Sequence, residues 1–240
     1  MHEGPRLDRR GLLALATVAA AATAVGSSSG AAASDVASGK MRPTATQALD
    51  MLKRGNADFL SGKPLLADSN GKRRLAIARG QEPFAILVSC SDSRVPPEVL
   101  FGRGLGELFI IRNAGNTVDT AAMGSIEYGV AVLKVPLIVV MGHERCGAVQ
   151  AAVDVVEKNT MFPGSIGRMI EPIIPAVLKA RSDGAGGDLT DASIRANVMR
   201  TVNRLRTASE PLILDPFNAG TLKIVGARYD LDDGRVEFYE

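Results

Sequence analysis

Short apolar runs alternate with polar turns and with helical patterns from about residue 45 to the end of the chain. Runs of this length, rich in Val, Ile and Leu, are typical of buried parallel strands. They cover residues 84–88, 108–111, 137–141 and 222–229, and a shorter run at 236–238 follows the turn Asp232-Asp233-Gly234. Apolar residues at helical spacing between the runs predict helices at 44–59, 123–133, 149–156, 170–179 and 194–205, the first of them interrupted at Gly55.

This alternation of strands and helices predicts an α/β fold. We expect a mostly parallel central sheet of about four strands, a C-terminal edge strand, and helices on both faces. The chain has 240 residues, of which 46% are hydrophobic, and this is enough to bury one good core.

The first 33 residues have the pattern of an export signal. Arg9-Arg10 precedes an apolar run at 12–25, and Ala31-Ala32-Ala33 offers small residues for cleavage before Ser34. The run is too short to span a membrane. We therefore predict a signal peptide at 1–33, a linker at 34–43 and a domain at 44–240.

The paired arginines favour the twin-arginine route, and an ordinary basic segment for general secretion is the alternative. Either route predicts an exported protein, periplasmic or secreted, with no stable membrane insertion after the signal is removed. The net charge of +2 argues against a nucleic-acid partner or a polybasic membrane surface.

The scarce sulfur and imidazole side chains lie at the carboxyl ends of two predicted strands. Cys90 follows the first strand, and His143 and Cys146 follow the third; apart from His2, the chain has no other cysteine or histidine. Ligands of open α/β sheets bind at this edge. Two thiolates and an imidazole suit tetrahedral zinc, and three protein ligands leave a position open for chemistry. A disulfide is the alternative for an exported protein, but it does not explain the histidine three residues before Cys146.

The motif C-x-D-x-R at Cys90, Asp92 and Arg94, followed by H-x-x-C at His143 and Cys146, resembles that of the β-class carbonic anhydrases. Further matching segments lie at residues 111–116, 125–128 and 226–230, and the resemblance covers roughly 45–240. It implies a Zn²⁺ ion held by Cys90, His143 and Cys146. It also implies reversible hydration of carbon dioxide to bicarbonate and a proton through zinc-bound hydroxide.

The resemblance assigns further roles to residues around the metal. Asp92 and Arg94 match the family's catalytic dyad, and we expect Arg94 to hold the carboxylate in a two-point ion pair away from the open position. Active sites of the family lie between subunits, which implies a homodimer or homotetramer. Five positions match the substrate pocket, the last through its backbone amide: Gln81, Phe109, Ala114, Tyr128 and Gly147.

Two other functions fit the same motifs. A sister enzyme on this scaffold would hydrolyse carbonyl sulfide or carbon disulfide with the same metal ligands. A non-catalytic zinc sensor or interaction module is less favoured, because a structural zinc site has a fourth protein ligand.

Overall fold

The computed structural model describes residues 42–63, 69–184, 187–207 and 209–240. The predicted signal peptide at 1–33 and most of the predicted linker at 34–43 therefore lie outside the described residues. Among the described helices, none combines the length and the apolar character needed to cross a membrane.

One five-stranded sheet organises the domain. Its strands are β1 Ala85–Ser89, β2 Leu108–Arg112, β3 Leu137–His143, β4 Lys223–Tyr229 and β5 Val236–Tyr239. They lie in the order β2-β1-β3-β4-β5; the first four are parallel, and β5 pairs antiparallel with β4 at the edge. This confirms the predicted sheet of four parallel strands with a C-terminal edge strand.

Helices cover both faces of the sheet, as predicted, because successive strand residues point to opposite sides. The helices are α1 Ala45–Leu60, α2 Gly71–Ala76, α3 Pro97–Leu100, α4 Thr120–Ala131, α5 Gly147–Lys158, α6 Gly164–Ile170, α7 Ile174–Ser182, α8 Leu189–Arg206 and α9 Pro211–Asn218. Ile86 and Val88 pack in a cluster with residues of α4, α8 and α9, whereas Ala85 and Leu87 pack with residues of α1 and α3. Short 3₁₀ turns lie at Ala114–Asn116 and Glu171–Ile173.

The prediction that Gly55 interrupts the first helix is wrong. A capping box at Thr44 and Gln47 starts α1, which then continues through Gly55 to Leu60. Gly55 is buried, and a Cβ atom there would lie 2.0 Å from the carbonyl oxygen of Phe101. Glycine therefore allows the backbone of α1 to lie close to that of Phe101. This close packing explains why a residue of low helix propensity stands inside the helix.

A third cluster lies beyond the carboxyl ends of β1 and β3. It packs Cys90 and Cys146 with apolar side chains of α5, α7 and α8, including Val149, Val177 and Ile194. This cluster places the two cysteines in a buried, mainly apolar environment at one edge of the sheet.

Candidate metal centre

Three ligand side chains converge where β1 and β3 end. Cys90 follows β1 directly, His143 is the last residue of β3, and Cys146 is the N-cap of α5. Since β1 and β3 are parallel neighbours, their carboxyl ends bring the three side chains together. The two Sγ atoms lie 3.9 Å apart, and the possible ligand atoms of all three residues lie within 4.8 Å of one another.

Both cysteines are buried free thiols, so the structure does not contain the disulfide that was the alternative to a metal. The buried ring of His143 is oriented for coordination. Its Nδ1 lies 2.9 Å from the carbonyl oxygen of Glu144, which fixes the proton on Nδ1 and leaves the lone pair on Nε2.

His143 Nε2 is the strongest indication that the site holds an ion. His143 is fully buried, and its Nε2 has no hydrogen-bond partner among the described residues. A buried polar atom without a partner is costly, and coordination of a metal would satisfy it. Two soft sulfurs and one imidazole nitrogen with an available lone pair fit zinc.

The surroundings shift the pKa values of the two thiols in opposite directions. The hydrogen bond from Cys146 is the largest cause that lowers the pKa of Cys90, to about 4, with smaller contributions from His143 and the backbone amides of Gly115 and Asp92. The same hydrogen bond and burial raise the pKa of Cys146. Two neighbouring thiolates repel each other, so both cysteines ionise together only with a cation between them. Because metal ligands must be deprotonated, binding of a divalent cation would favour the thiolate form of both.

Asp92 and Arg94 lie beside the cluster in the two-point pair expected from the sequence. Arg94 donates from Nε to Asp92 Oδ1 over 2.9 Å and from a terminal nitrogen to Oδ2 over 2.7 Å. Arg94 also donates its backbone N–H to Oδ1. The guanidinium holds the pKa of Asp92 well below its usual range. Asp92 Oδ2 is 3.8 Å from His143 Nε2, so an ionised carboxylate borders the predicted metal position.

Arg112 holds the loop that presents Cys90 and Asp92. From the end of β2 it donates to the carbonyl oxygens of Cys90, over 2.8 Å, and Asp92, over 2.6 Å. Arg112 belongs to the family-like segment 111–116, but no role was predicted for it. Its place at the carboxyl end of β2, next to β1, could have indicated this role from the sequence.

The five predicted pocket residues fall into two groups, one near the cluster of Cys90, His143 and Cys146 and one away from it. Ala114 and Gly147 lie near the cluster: Gly115, next to Ala114, donates its N–H to Cys90 Sγ, and Gly147 follows Cys146. Gly147 is exposed, and a Cβ atom there would meet no atom within 4 Å.

The other three pocket residues lie away from this chain's own cluster. Gln81 is exposed and precedes β1, at the opposite end from Cys90. Phe109 pairs with Ile86, roughly 13 Å along the strand from Cys90. Tyr128 is 47% exposed, and its ring centroid is 6.2 Å from that of Phe109. Their pocket role stays a prediction.

Comparison with known proteins identifies the same family. The carbonic anhydrase family matches residues 85–236. A carbonic anhydrase of Mycolicibacterium smegmatis is 43% identical over 186 residues, which are 78% of this chain and 89% of that protein.

Solved structures agree in fold. A tetrameric β-carbonic anhydrase from Sordaria macrospora superposes with a TM-score of 0.62 at 27% identity, covering 70% of this chain and 86% of that one. The Coccomyxa β-carbonic anhydrase in complex with acetazolamide gives 0.59 at 28% identity, covering 79% and 80%. On its sequence match, its parallel sheet and its Cys-His-Cys cluster, this chain belongs to the β-class carbonic anhydrase family.

Proposed function

We propose that this protein is a zinc enzyme that reversibly hydrates carbon dioxide to bicarbonate and a proton. The observation that carries the proposal is the buried Cys90-His143-Cys146 cluster, which has an ion-paired carboxylate on one side. A structural zinc site would have a fourth protein ligand, whereas Asp92 is held by Arg94.

The residues around the cluster have separate tasks in this reaction. Cys90, His143 and Cys146 would hold the zinc, which would act as a Lewis acid and make a water molecule more acidic. Asp92 is ionised and accepts hydrogen bonds only, so it can orient a donor beside His143 Nε2. Arg94 keeps this carboxylate in place. Gly147, next to Cys146, is exposed, so a small substrate can approach the cluster from this side.

Zinc content and stopped-flow carbon dioxide hydration of the purified domain test the proposal. We expect one zinc per chain, and Cys146→Ser should lose most of the zinc and the activity, because it removes a soft ligand. Met161→Ser is a matched control that removes a sulfur from a side chain that is 90% exposed. If Cys146→Ser keeps full zinc and full hydration, or if the zinc-loaded protein does not hydrate carbon dioxide, the proposal is wrong.

We also propose that the enzyme works as a dimer or a dimer of dimers. Gln81, Phe109 and Tyr128 lie away from their own metal cluster but match pocket positions of a family whose active sites lie between subunits. The Sordaria macrospora relative is described as tetrameric. In such a dimer, each active site combines the cluster of one subunit with the three pocket residues of the other.

Co-expression of two inactive variants tests this shared site. Cys146→Ser removes a metal ligand, and Tyr128→Ala alters the pocket. In a mixed dimer, the ligands of the Tyr128→Ala subunit face the intact pocket of the other subunit, so one of the two sites is complete. Random pairing should restore on the order of a quarter of wild-type activity. If each active site lies within one chain, the mixture stays inactive.

We propose, further, that residues 1–33 direct export by the twin-arginine route, which carries folded proteins. Cys90 and Cys146 would otherwise be open to oxidation outside the cytoplasm, and metal binding before export would protect their thiolates. Arg9→Lys with Arg10→Lys should leave the protein inside the cell, whereas Arg6→Lys should not. Undiminished export of the double variant would indicate general secretion instead.

A further inference from the structure

Helix α8 has a line of buried polar side chains on the face that packs against the rest of the domain. They recur three or four residues apart and are Thr190, Ser193, Asn197 and Thr201. Asn197 is only 3% exposed, and its Nδ2 donates to the carbonyl oxygen of Gly115 over 2.9 Å. This bond joins two residues that are 82 positions apart in the chain.

Gly115 in turn contacts a metal ligand directly. Its backbone N–H donates to Cys90 Sγ over 3.3 Å. The residue has a φ of 71°, in the left-handed region, and a Cβ atom there would lie 2.5 Å from Ile173 Cδ1. Glycine is therefore required in this turn, and its backbone is also the least restricted of any residue. The direction of the N–H group then depends on contacts from outside the turn.

The Asn197 amide supplies such a contact. Its bond to the Gly115 carbonyl oxygen restricts rotation about the two backbone bonds at the Gly115 Cα atom. The direction of the Gly115 N–H group depends on the same two bonds. We propose that Asn197 is a positioning residue of the metal centre, which keeps the Gly115 N–H directed at the Cys90 sulfur. The inference rests on the zinc site of the proposed function and extends that site to α8. Outer hydrogen bonds of this kind orient metal ligands and tune their donor strength.

Cobalt substitution gives a readout that does not depend on turnover. Asn197→Leu has nearly the same size and no donor toward the carbonyl group, whereas a buried Asp would be protonated and could donate its O–H instead. In the cobalt(II)-loaded variant, we expect the thiolate-to-cobalt charge-transfer band to move to longer wavelength, because a sulfur without its N–H donor holds its electrons less tightly. Zinc affinity, measured by competition with a chelating dye, should fall on the order of 10- to 100-fold.

Arg204→Met is the matched control. Arg204 also lies on α8, and it donates to the carbonyl oxygen of Val118 over 2.5 Å, three residues beyond Gly115. This variant loses a bond between the same helix and the same segment, so its band and its zinc affinity should stay as in the wild type. If Asn197→Leu does not fold, Asn197→Ala removes the donor with a smaller side chain, and the same measurements apply.

The outcomes separate this inference from the proposed function. A folded Asn197 variant with the wild-type band and wild-type zinc affinity overturns the positioning role. A shift of the band in Asn197→Leu but not in Arg204→Met supports it, even if the protein does not hydrate carbon dioxide. A wild-type protein without any thiolate-to-cobalt band would overturn both the inference and the metal site.

Discussion

Asp92 has two competing partners, Arg94 and the predicted metal position. Its Oδ2 lies 2.7 Å from a terminal nitrogen of Arg94 and 3.8 Å from His143 Nε2. A carboxylate oxygen is also an effective zinc ligand. The ion pair with Arg94 therefore determines whether the open position stays available to water.

Replacement of this one arginine should close the site. In Arg94→Ala, we expect zinc to stay bound while carbon dioxide hydration falls at least about tenfold, because the freed carboxylate can occupy the open position. Arg145→Ala is the control, since that exposed arginine pairs with Asp232 instead. Zinc analysis, hydration kinetics and a crystal structure test this. A zinc-bound water with Asp92 unmoved would refute it.

At the scale of the helices, replacement of glycine by alanine should change the free energy of unfolding in opposite directions at two positions. Gly55→Ala in α1 would place a methyl group 2.0 Å from the Phe101 carbonyl oxygen, whereas Gly124→Ala in α4 would meet no atom within 4 Å. We expect Gly55→Ala to lower the free energy of unfolding by more than about 2 kcal/mol. Gly124→Ala should raise it by roughly 0.5–1 kcal/mol through helix propensity. Urea unfolding measures both, and stabilisation by Gly55→Ala would show that the close backbone contact is absent.

The ion pair between Arg228 of β4 and Asp191 of α8 joins the sheet to the helix that carries Asn197. Its shortest distance is 2.6 Å, and only 10% of the Arg228 side chain is exposed. Breaking a buried pair typically costs about 3–5 kcal/mol. Because Asp191 is partly exposed and Arg228 also pairs with Asp230, we expect about 2 kcal/mol for Asp191→Asn.

Asp183→Asn is the control for this ion pair. Its partner Lys179 is exposed and four residues away on the same helical segment, so the loss should be below about 1 kcal/mol. Equal stability of the two variants in urea unfolding would show that burial does not strengthen the ion pair between Arg228 and Asp191.

The scarcity of histidine in the whole molecule predicts how protons leave the site. His143 is the only histidine outside residues 1–33, and its Nε2 belongs to the metal site. Arg94 holds the pKa of Asp92 well below its usual range, so that carboxylate is a poor proton acceptor. Imidazole is the side chain best matched to proton transfer near neutral pH, and no second one is available.

Turnover at saturating carbon dioxide should therefore rise with the concentration of an imidazole buffer, while turnover at low substrate should respond little. Stopped-flow measurements at constant ionic strength test this, with a non-titrating salt in place of the buffer as control. A maximal turnover independent of buffer would require an internal proton relay within the protein.

The sequence by itself determined the strand order along the chain, the α/β class and the three predicted metal ligands. These follow from local signals: apolar runs of strand length predict buried strands, and the only soft ligands outside residues 1–33 stand at two strand ends. Parallel pairing then implied that Cys90, His143 and Cys146 would meet, and the structure brings them together. The proximity of Asp92 and Arg94 was equally predictable, because they lie two residues apart.

Tertiary structure decided the features that depend on contacts between distant segments. Helix propensity, which is local, predicted an interruption at Gly55, whereas its backbone contact with Phe101 comes from packing between distant segments. Asn197 reaches Gly115 across 82 residues, and no periodicity along α8 identifies the carbonyl group that it contacts. The strand register likewise places Phe109 far from Cys90 of its own chain. Sequence pattern thus selects which residues are buried and which can bind a metal, but only the folded backbone fixes their partners, because hydrogen bonds and close packing depend on positions in space.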